Sequence, residues 1–382
     1  MVYTGDMPYV FTHFAIAKKY LEKNKDAGIV KNRQDFFDGN IVVDLAMGSD
    51  KEHSHYGDRS EMVDLVKHNR EKIDLRKFLE RNALDSDLNL GRFLHLYTDW
   101  EFYNNFLPIE YMKTITMEQF SKDFRYTTSL HEDYLGKKYD LCIDMTTMGE
   151  RLREVMKTFE LCDMEKRGYN GFSSAKTLYS AEGLDAFIER IASVDLYAVA
   201  EKFKHGELMD VYDKDGKHVG IMHRCEAVAE GSRVFIKGVD ILIVNDEGEV
   251  LVQKRSATKK SQPNKWDISC SGAVGVGEDL TTACRREVFE ELGVDIAQEK
   301  FIFQRALPGG VGFLNNGLQH IFIVKMNLEI GDIKIDPKEV AEVKWLSLED
   351  FEKLLYSAEF TPYKDEYKDI IMDVVKRSKD EN

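Results

Sequence analysis

The sequence predicts two domains of different class, an all-α domain over residues 1–206 followed by an α+β domain over residues 207–382. At 382 residues the chain is too long for one ordinary core, because domains run to roughly 100–200 residues. Seven of its ten histidines lie at or before His205, and the strand-like runs all follow it. The seam therefore falls at Lys204–Glu207, beside the turn Asp213-Lys214-Asp215-Gly216.

The helical half rests on apolar spacing near 3.6 over residues 9–24, 60–82, 88–107, 147–162 and 184–204, as in Leu152, Val155, Met156 and Phe159. In the second half, Val239–Val244 and Val250–Gln253 flank Asn245-Asp246-Glu247-Gly248, which predicts a hairpin. A second strand pair follows at Ile302–Ala306 and His320–Met326, with a helix over Leu280–Leu292 between the pairs.

Composition narrows the function. Hydrophobic residues at 43%, charged at 32% and only 6 prolines exclude collagen-like, mucin-like and mostly disordered chains. The net charge of −15, from 53 basic against 68 acidic residues, repels phosphate backbones and anionic lipid, so neither nucleic acid nor membrane is an expected partner. The same field means that a small anionic substrate needs a divalent cation or a local basic pocket. Five cysteines without CxxC spacing give neither a disulfide framework nor a zinc ribbon, and no apolar run or leader is evident. A reducing, cytoplasmic setting is the expectation.

The strongest motif is Gly272, then Glu278 after five residues, then Arg286-Glu287-Val288-Phe289-Glu290-Glu291-Leu292-Gly293-Val294 after seven more. On a helix Glu287 lies three and four residues from Glu290 and Glu291, so three carboxylates share one face. Such a set repels itself unless cations sit between its members, and hard ions such as Mg²⁺ or Mn²⁺ favour these oxygens and bridge pyrophosphate. Leu280, Cys284, Val288 and Leu292 form the apolar stripe that seats the helix, and Gly293 caps it. Arg286, four residues before Glu290, orients that carboxylate, and Gly272, Gly275 and Gly277 let the loop backbone approach the site.

This pattern resembles the Nudix box of the Nudix hydrolase superfamily. The resemblance implies an α/β/α sandwich with a mixed sheet, Mg²⁺ or Mn²⁺ dependence, and hydrolysis of a diphosphate linked to another group. It also implies that Glu287, Glu290 and Glu291 bind metal and that Glu290 helps deprotonate the attacking water, with Arg286 beside it. Val211-Tyr212-Asp213, Gly220, Gln253-Lys254-Arg255-Ser256, Lys259, Pro263 and Trp266 are similar to the branch related to isopentenyl diphosphate isomerase. Ser271 stands where the isomerases carry a cysteine, Cys270 is one residue off, and the Arg-Glu-x-x-Glu-Glu string is intact, which argues against isomerisation. Lys254 and Arg255, at a strand end, either neutralise substrate phosphate or are simply solvated. Gly272 offers backbone to the substrate, Glu339 or Glu342 supplies a further carboxylate or lies at the surface, and Trp266 either stacks on a base or other planar group or, as the favoured use, fills the core.

In the first half, His13, Asp44 after Gly39-Asn40-Ile41-Val42-Val43, His53, His55, and the pair His95 and Asp99 form a second constellation. His95 and Asp99 are four residues apart, so an imidazole and a carboxylate face the same way and can share one ion. Six such groups from four segments suit Zn²⁺ or another transition metal. The string resembles the zinc-dependent phospholipase C-like family, while the adjacent His-Asp pair of HD-type phosphohydrolases is absent. His68, His131 and His205 are expected at the surface.

The expected function is cleavage of the diphosphate linkage in a nucleoside diphosphate derivative or similar small molecule by a Nudix hydrolase fused to a helical metallohydrolase domain. The alternatives are a nucleotide-metabolite sensor that regulates the first domain, and an isomerase.

Overall fold

A computed structural model describes residues 10–45, 54–57, 65–141, 174–307 and 316–380, and the chain divides into two units, Met1–Gly206 and Glu207–Asn382. The helix expected over 147–162 lies outside the described residues.

The first unit contains α1 (Val10–Lys23), α2 (Arg33–Val42), α3 (Leu65–Glu71), α4 (Leu75–Arg81), α5 (Asp87–Glu101), the short α6 (Ile109–Met112), α7 (Met117–Lys138), α8 (Ala181–Ile191) and α9 (Leu196–His205). Two of the stretches with helical period each contain a break. Residues 60–82 break where Ile73 bridges Tyr56 and where Asp74 caps α4 by accepting from Lys77 N–H. Residues 184–204 break where Asp195 caps α9 by accepting from the N–H groups of Tyr197 and Ala198. Helix α5 runs on as a π-helix over Phe102–Phe106, a form that often marks functional sites. The crossing of α2 and α5 needs glycine on both sides. A Cβ on Gly39 would lie 2.0 Å from the Leu88 carbonyl oxygen, and one on Gly91 would lie 2.0 Å from that of Phe36.

The second unit opens with an antiparallel hairpin, β1 (Leu208–Tyr212) and β2 (His218–His223), and the short α10 (Arg224–Ala227). There follow β3 (Ile236–Val244), β4 (Val250–Arg255), β5 (Trp266–Asp267), β6 (Cys270–Ala273), α11 (Leu280–Leu292), β7 (Ile302–Ala306), β8 (Gly317–Lys325), β9 (Val340–Leu346), α12 (Leu348–Leu355) and α13 (Asp365–Asp380). Among the described residues β3 to β9 form a seven-stranded mixed sheet along the path β5-β4-β3-β8-β7, with β6 on β3 and β9 on β4. The β3–β8 pair is parallel and the other pairs are antiparallel.

Alternation along the strands builds two cores. Val239, Ile241 and Ile243 pack with Cys284, Val288 and Leu292 of α11. Leu242 and Val244 pack on the opposite face with Phe351, Leu355, Tyr367 and Ile371. The unit is an α/β/α sandwich, and the molecule is a helical region followed by a mixed-sheet domain. Among the described residues no helix is long and apolar enough to cross a membrane.

Candidate functional sites

Helix α11 starts where Asp279 accepts from the N–H groups of Thr281 and Thr282, and it ends at Gly293, whose φ of 67° is left-handed. Burial of its apolar stripe sets the rotation of the acidic face. Arg286 is the hub of that face. Its Nε and Nη2 donate to the two oxygens of Glu278 at 2.9 Å each, and Nη2 also donates to the Ala273 carbonyl at 2.9 Å. Its Nη1 donates to Glu287 at 2.7 Å and to Glu290 at 3.2 Å. Burial pushes Glu287 up to about 7 against the pull of Arg286. Burial also works to raise Glu278, but its bonds to Arg286 and to Gly275 N–H outweigh it and hold that carboxyl below its ordinary value.

Glu291 is turned inward, where its Oε2 accepts from Gln253 Nε2 at 2.9 Å and from the Cys270 thiol at 3.0 Å. Burial raises its pKa despite those bonds. The three carboxylates expected to converge are therefore held apart. Among the described residues only the first unit brings three metal-ligating groups within 4.8 Å of one another. The physical reason is charge: the Arg286 guanidinium lies between Glu287 and Glu290, and Glu291 satisfies its own buried oxygen elsewhere.

Gly272 earns its place sterically, because a Cβ there would lie 1.9 Å from Glu287 Cδ. Lys254 stands opposite Trp266 of β5 and Glu342 of β9 in the strand register, and its ammonium lies 5.7 Å from the Trp266 ring. Arg255 donates to the Ser261 carbonyl at 3.0 Å and to Asp267 at 3.4 Å, and Lys259 pairs with Glu339. Trp266 is a core residue, with Lys344 3.9 Å from its ring centroid. Gln253 and the grip of Glu278 on Arg286 were not foreseen. The signal for Gln253 was period-two alternation, which puts it on the same face of β4 as Leu251.

The second site lies in the first unit. The glycine-mediated crossing of α2 and α5 places the Asn40 carbonyl 2.6 Å from His95 Nδ1, which fixes that ring with Nε2 inward. His13 stacks on it, with ring centroids 3.8 Å apart. Asp99 Oδ1 lies 3.2 Å from His13 Nε2, and Asp99 Oδ2 lies 3.4 Å from His95 Nε2 and 3.5 Å from His55 Nε2. Asp44 Oδ1 lies 3.7 Å from His95 Nε2 and 3.8 Å from His55 Nε2. His53 lies outside the described residues.

His13, His55, His95 and Asp99 are at most 1% exposed. Nonetheless His13 Nε2, His95 Nε2 and both Asp99 oxygens have no hydrogen-bond partner among the described residues. Burial lowers His13 and His55, whereas Asp44 and Asp99 outweigh burial at His95 and raise it. At Asp99 burial works upward, but His95, His13 and His55 outweigh it and hold the carboxyl well below its ordinary value. His131, expected at the surface, is instead buried, with Nε2 3.2 Å from the Tyr179 carbonyl. It lies on the side of α7 that the 174–180 segment crosses, where Lys176 and Leu178 donate their N–H groups to Asp123 and Thr127.

The NUDIX domain family matches residues 234–365. An uncharacterized Nudix hydrolase of Listeria monocytogenes is 30% identical over 162 residues, which covers 41% of this chain and 89% of the relative. One from Listeria innocua is 34% identical over 142 residues, covering 37% and 79%. The chain belongs to the Nudix family. An isopentenyl-diphosphate Delta-isomerase 2 of Photorhabdus laumondii is also similar to this Nudix chain, at 30% over 155 residues, covering 40% and 84%. A crystal structure from Deinococcus radiodurans aligns with a TM-score of 0.35 at 23% identity, over 45% of this chain and 98% of that one.

Proposed function

We propose that the second unit is a divalent-cation-dependent hydrolase that directs water onto a phosphorus of the diphosphate linkage in a nucleoside diphosphate derivative or similar small molecule. The observation that carries this reading is the Arg286 hub, which holds Glu278, Glu287 and Glu290 at 2.7–3.2 Å while Gln253 and Cys270 present Glu291. The donor set suits Mg²⁺ or Mn²⁺. Carboxylate oxygens are hard ligands, and the bare Gly272 leaves room for Glu287.

Glu287, Glu290 and Glu291, which stand apart in this structure, would have to draw together to hold the ion, which supplies Lewis-acid polarisation of the diphosphate. Glu290 is held through one oxygen at 3.2 Å and its side chain is 57% exposed, so it can take the proton of the attacking water. Lys254 and the Gly272 backbone are the substrate contacts this reading keeps. Arg255 and Glu339 brace the loop through Ser261, Asp267 and Lys259.

Glu290→Gln is expected to cut turnover by about 10³-fold, within the usual range for a lost general base, with an unchanged circular dichroism spectrum. The assay is Mg²⁺-dependent release of products from nucleotide sugars, dinucleotides and prenyl diphosphates. Undiminished turnover removes Glu290 from the mechanism. Binding without product release would favour a sensor, and double-bond migration without water uptake would favour an isomerase.

A specific observation favours a second centre in the first unit. Buried imidazoles and a carboxylate that face one another without hydrogen bonds are costly unless a cation satisfies them. We infer that His13, Asp44, His55, His95 and Asp99 bind Zn²⁺ or a similar transition metal, with His53 a further candidate. Metal bound there is what the zinc-dependent phospholipase C-like reading of the helical domain requires.

A further inference from the structure

Asp210 lies in β1, outside the matched residues 234–365, yet its carboxylate reaches the Nudix loop. Its Oδ2 accepts from Gly277 N–H at 2.8 Å, and its Oδ1 accepts from His218 Nε2 across the hairpin at 2.7 Å. Asp210 and His218 are 6% and 7% exposed, so the pair is shielded from competing water. Gly277 has a left-handed φ of 72° and directly precedes Glu278, the residue that grips Arg286 through both oxygens.

The hairpin meets the site a second time through packing. Met209 and Val211 cluster with Ala227 and Ile236, and Ala273 packs against this cluster. The Ala273 carbonyl accepts from Arg286 Nη2 at 2.9 Å. Two of the four partners of the Arg286 guanidinium, Glu278 and the Ala273 carbonyl, thus lie next to contacts made by β1.

We propose that the β1–β2 hairpin is a working part of the hydrolase site, with Asp210 as a positioning residue. Asp210, oriented by His218, pins the Gly277 amide. The pinned turn aims Glu278 at Arg286, and Arg286 sets the spacing of Glu287 and Glu290. A glycine loop of this kind has many conformations to lose, and one hydrogen bond from a fixed strand removes most of them before substrate arrives. The inference rests on the reading of Glu287, Glu290 and Glu291 as cation ligands.

The test uses the full chain. Asp210→Leu deletes the acceptor while keeping the branched shape, and Asp210→Asn deletes the charge but keeps an oxygen for Gly277 N–H. Asp210→Leu is expected to weaken Mn²⁺ binding, read by electron paramagnetic resonance without substrate, and to lower kcat, each by about 10- to 100-fold, with Asp210→Asn within about threefold of wild type. Hydrogen exchange at the Gly277 amide should speed up in the leucine variant alone. Wild-type Mn²⁺ affinity in Asp210→Leu would overturn the proposal. An asparagine variant as weak as the leucine variant would also overturn it, because charge rather than the hydrogen bond would then be responsible.

Should Asp210→Leu not fold, His218→Leu leaves Asp210 without its orienting donor. Mn²⁺ binding weaker by about 3- to 10-fold supports the proposal, and unchanged affinity sinks it. Absence of hydrolysis in the wild type would instead defeat the hydrolase reading, with Mn²⁺ binding and hydrogen exchange still deciding the hairpin.

Discussion

Asp99 in the first unit and Asp240 in the second are equally cut off from water, at 0% and 1% exposure, and burial pushes both toward the protonated form. They end on opposite sides of the ordinary value. Asp99 sits among three imidazoles that hold it well below the usual carboxylate range, whereas Asp240, whose Oδ2 accepts from Tyr367, rises to about 7. Burial therefore does not tell a site from a strut. The neighbours do: Asp99 keeps both oxygens aimed at nitrogens with no hydrogen bond between them, and Asp240 has a hydroxyl on one oxygen and Gln319 3.4 Å from the other. The two candidate centres differ in the same way. The first is a buried cage of imidazole and carboxylate ligands already facing inward, and the second is a partly exposed set of hard ligands held apart by Arg286.

Removing one ligand from the cage should produce the largest effect. Asp99→Asn is expected to lower Zn²⁺ affinity by well over 100-fold, more than loss of an outer-shell partner costs, while Mg²⁺-dependent hydrolysis by the second unit is retained. Elemental analysis of the purified full chain measures the first quantity and product release the second. A wild-type protein free of transition metal would reduce the constellation to a structural cluster. A smaller effect is expected at Gly272. The added methyl of Gly272→Ala would collide with Glu287 at 1.9 Å from Cδ and displace it, and a displacement near 1 Å costs turnover roughly 10²-fold. Unchanged kcat in that variant would show that Glu287 need not lie against the loop.

The second unit was far more legible in the sequence than the first. Helix Leu280–Leu292 and strand Ile302–Ala306 stand at the expected residues because one period governs each segment and Asp279 and Gly293 punctuate the helix. Arg286 was expected beside Glu290, and it does pair with it, but its stronger hold on Glu278 depends on the loop folding back eight residues. Periodicity along a helix cannot report that return. The same limit hid Asp210, since its partner Gly277 lies 67 residues further on. In the first unit the spacing of His95 and Asp99 was readable. The helical state of Arg33–Val42 was not, because Gly39 and Asn40 are poor helix formers that are held there by the close approach of α5 and by the Asn32 cap at the helix start.

An effect on stability alone separates the two buried aspartates by pH. Asp240 binds its proton more tightly in the folded chain, with its pKa raised from 3.8 to about 7, than in the unfolded one. Its contribution to stability is therefore full below about pH 4 and is lost as pH rises toward 7, beyond which it is constant. Asp99 has the opposite sign in chelator-treated protein, because its depressed carboxyl stabilises the fold above its ordinary pKa and the contribution disappears on acidification. Asp240→Asn keeps an oxygen for the Tyr367 hydroxyl and cannot titrate. The variant should thus gain on the wild type between pH 4 and 7, by roughly 10 °C in Tm at about 2–4 °C per kcal/mol, and the gain should level off above pH 7. Thermal scans of the two proteins at matched pH give the difference directly. A pH-independent difference would mean that Asp240 stays charged throughout, held by its neighbours in the manner of Asp99.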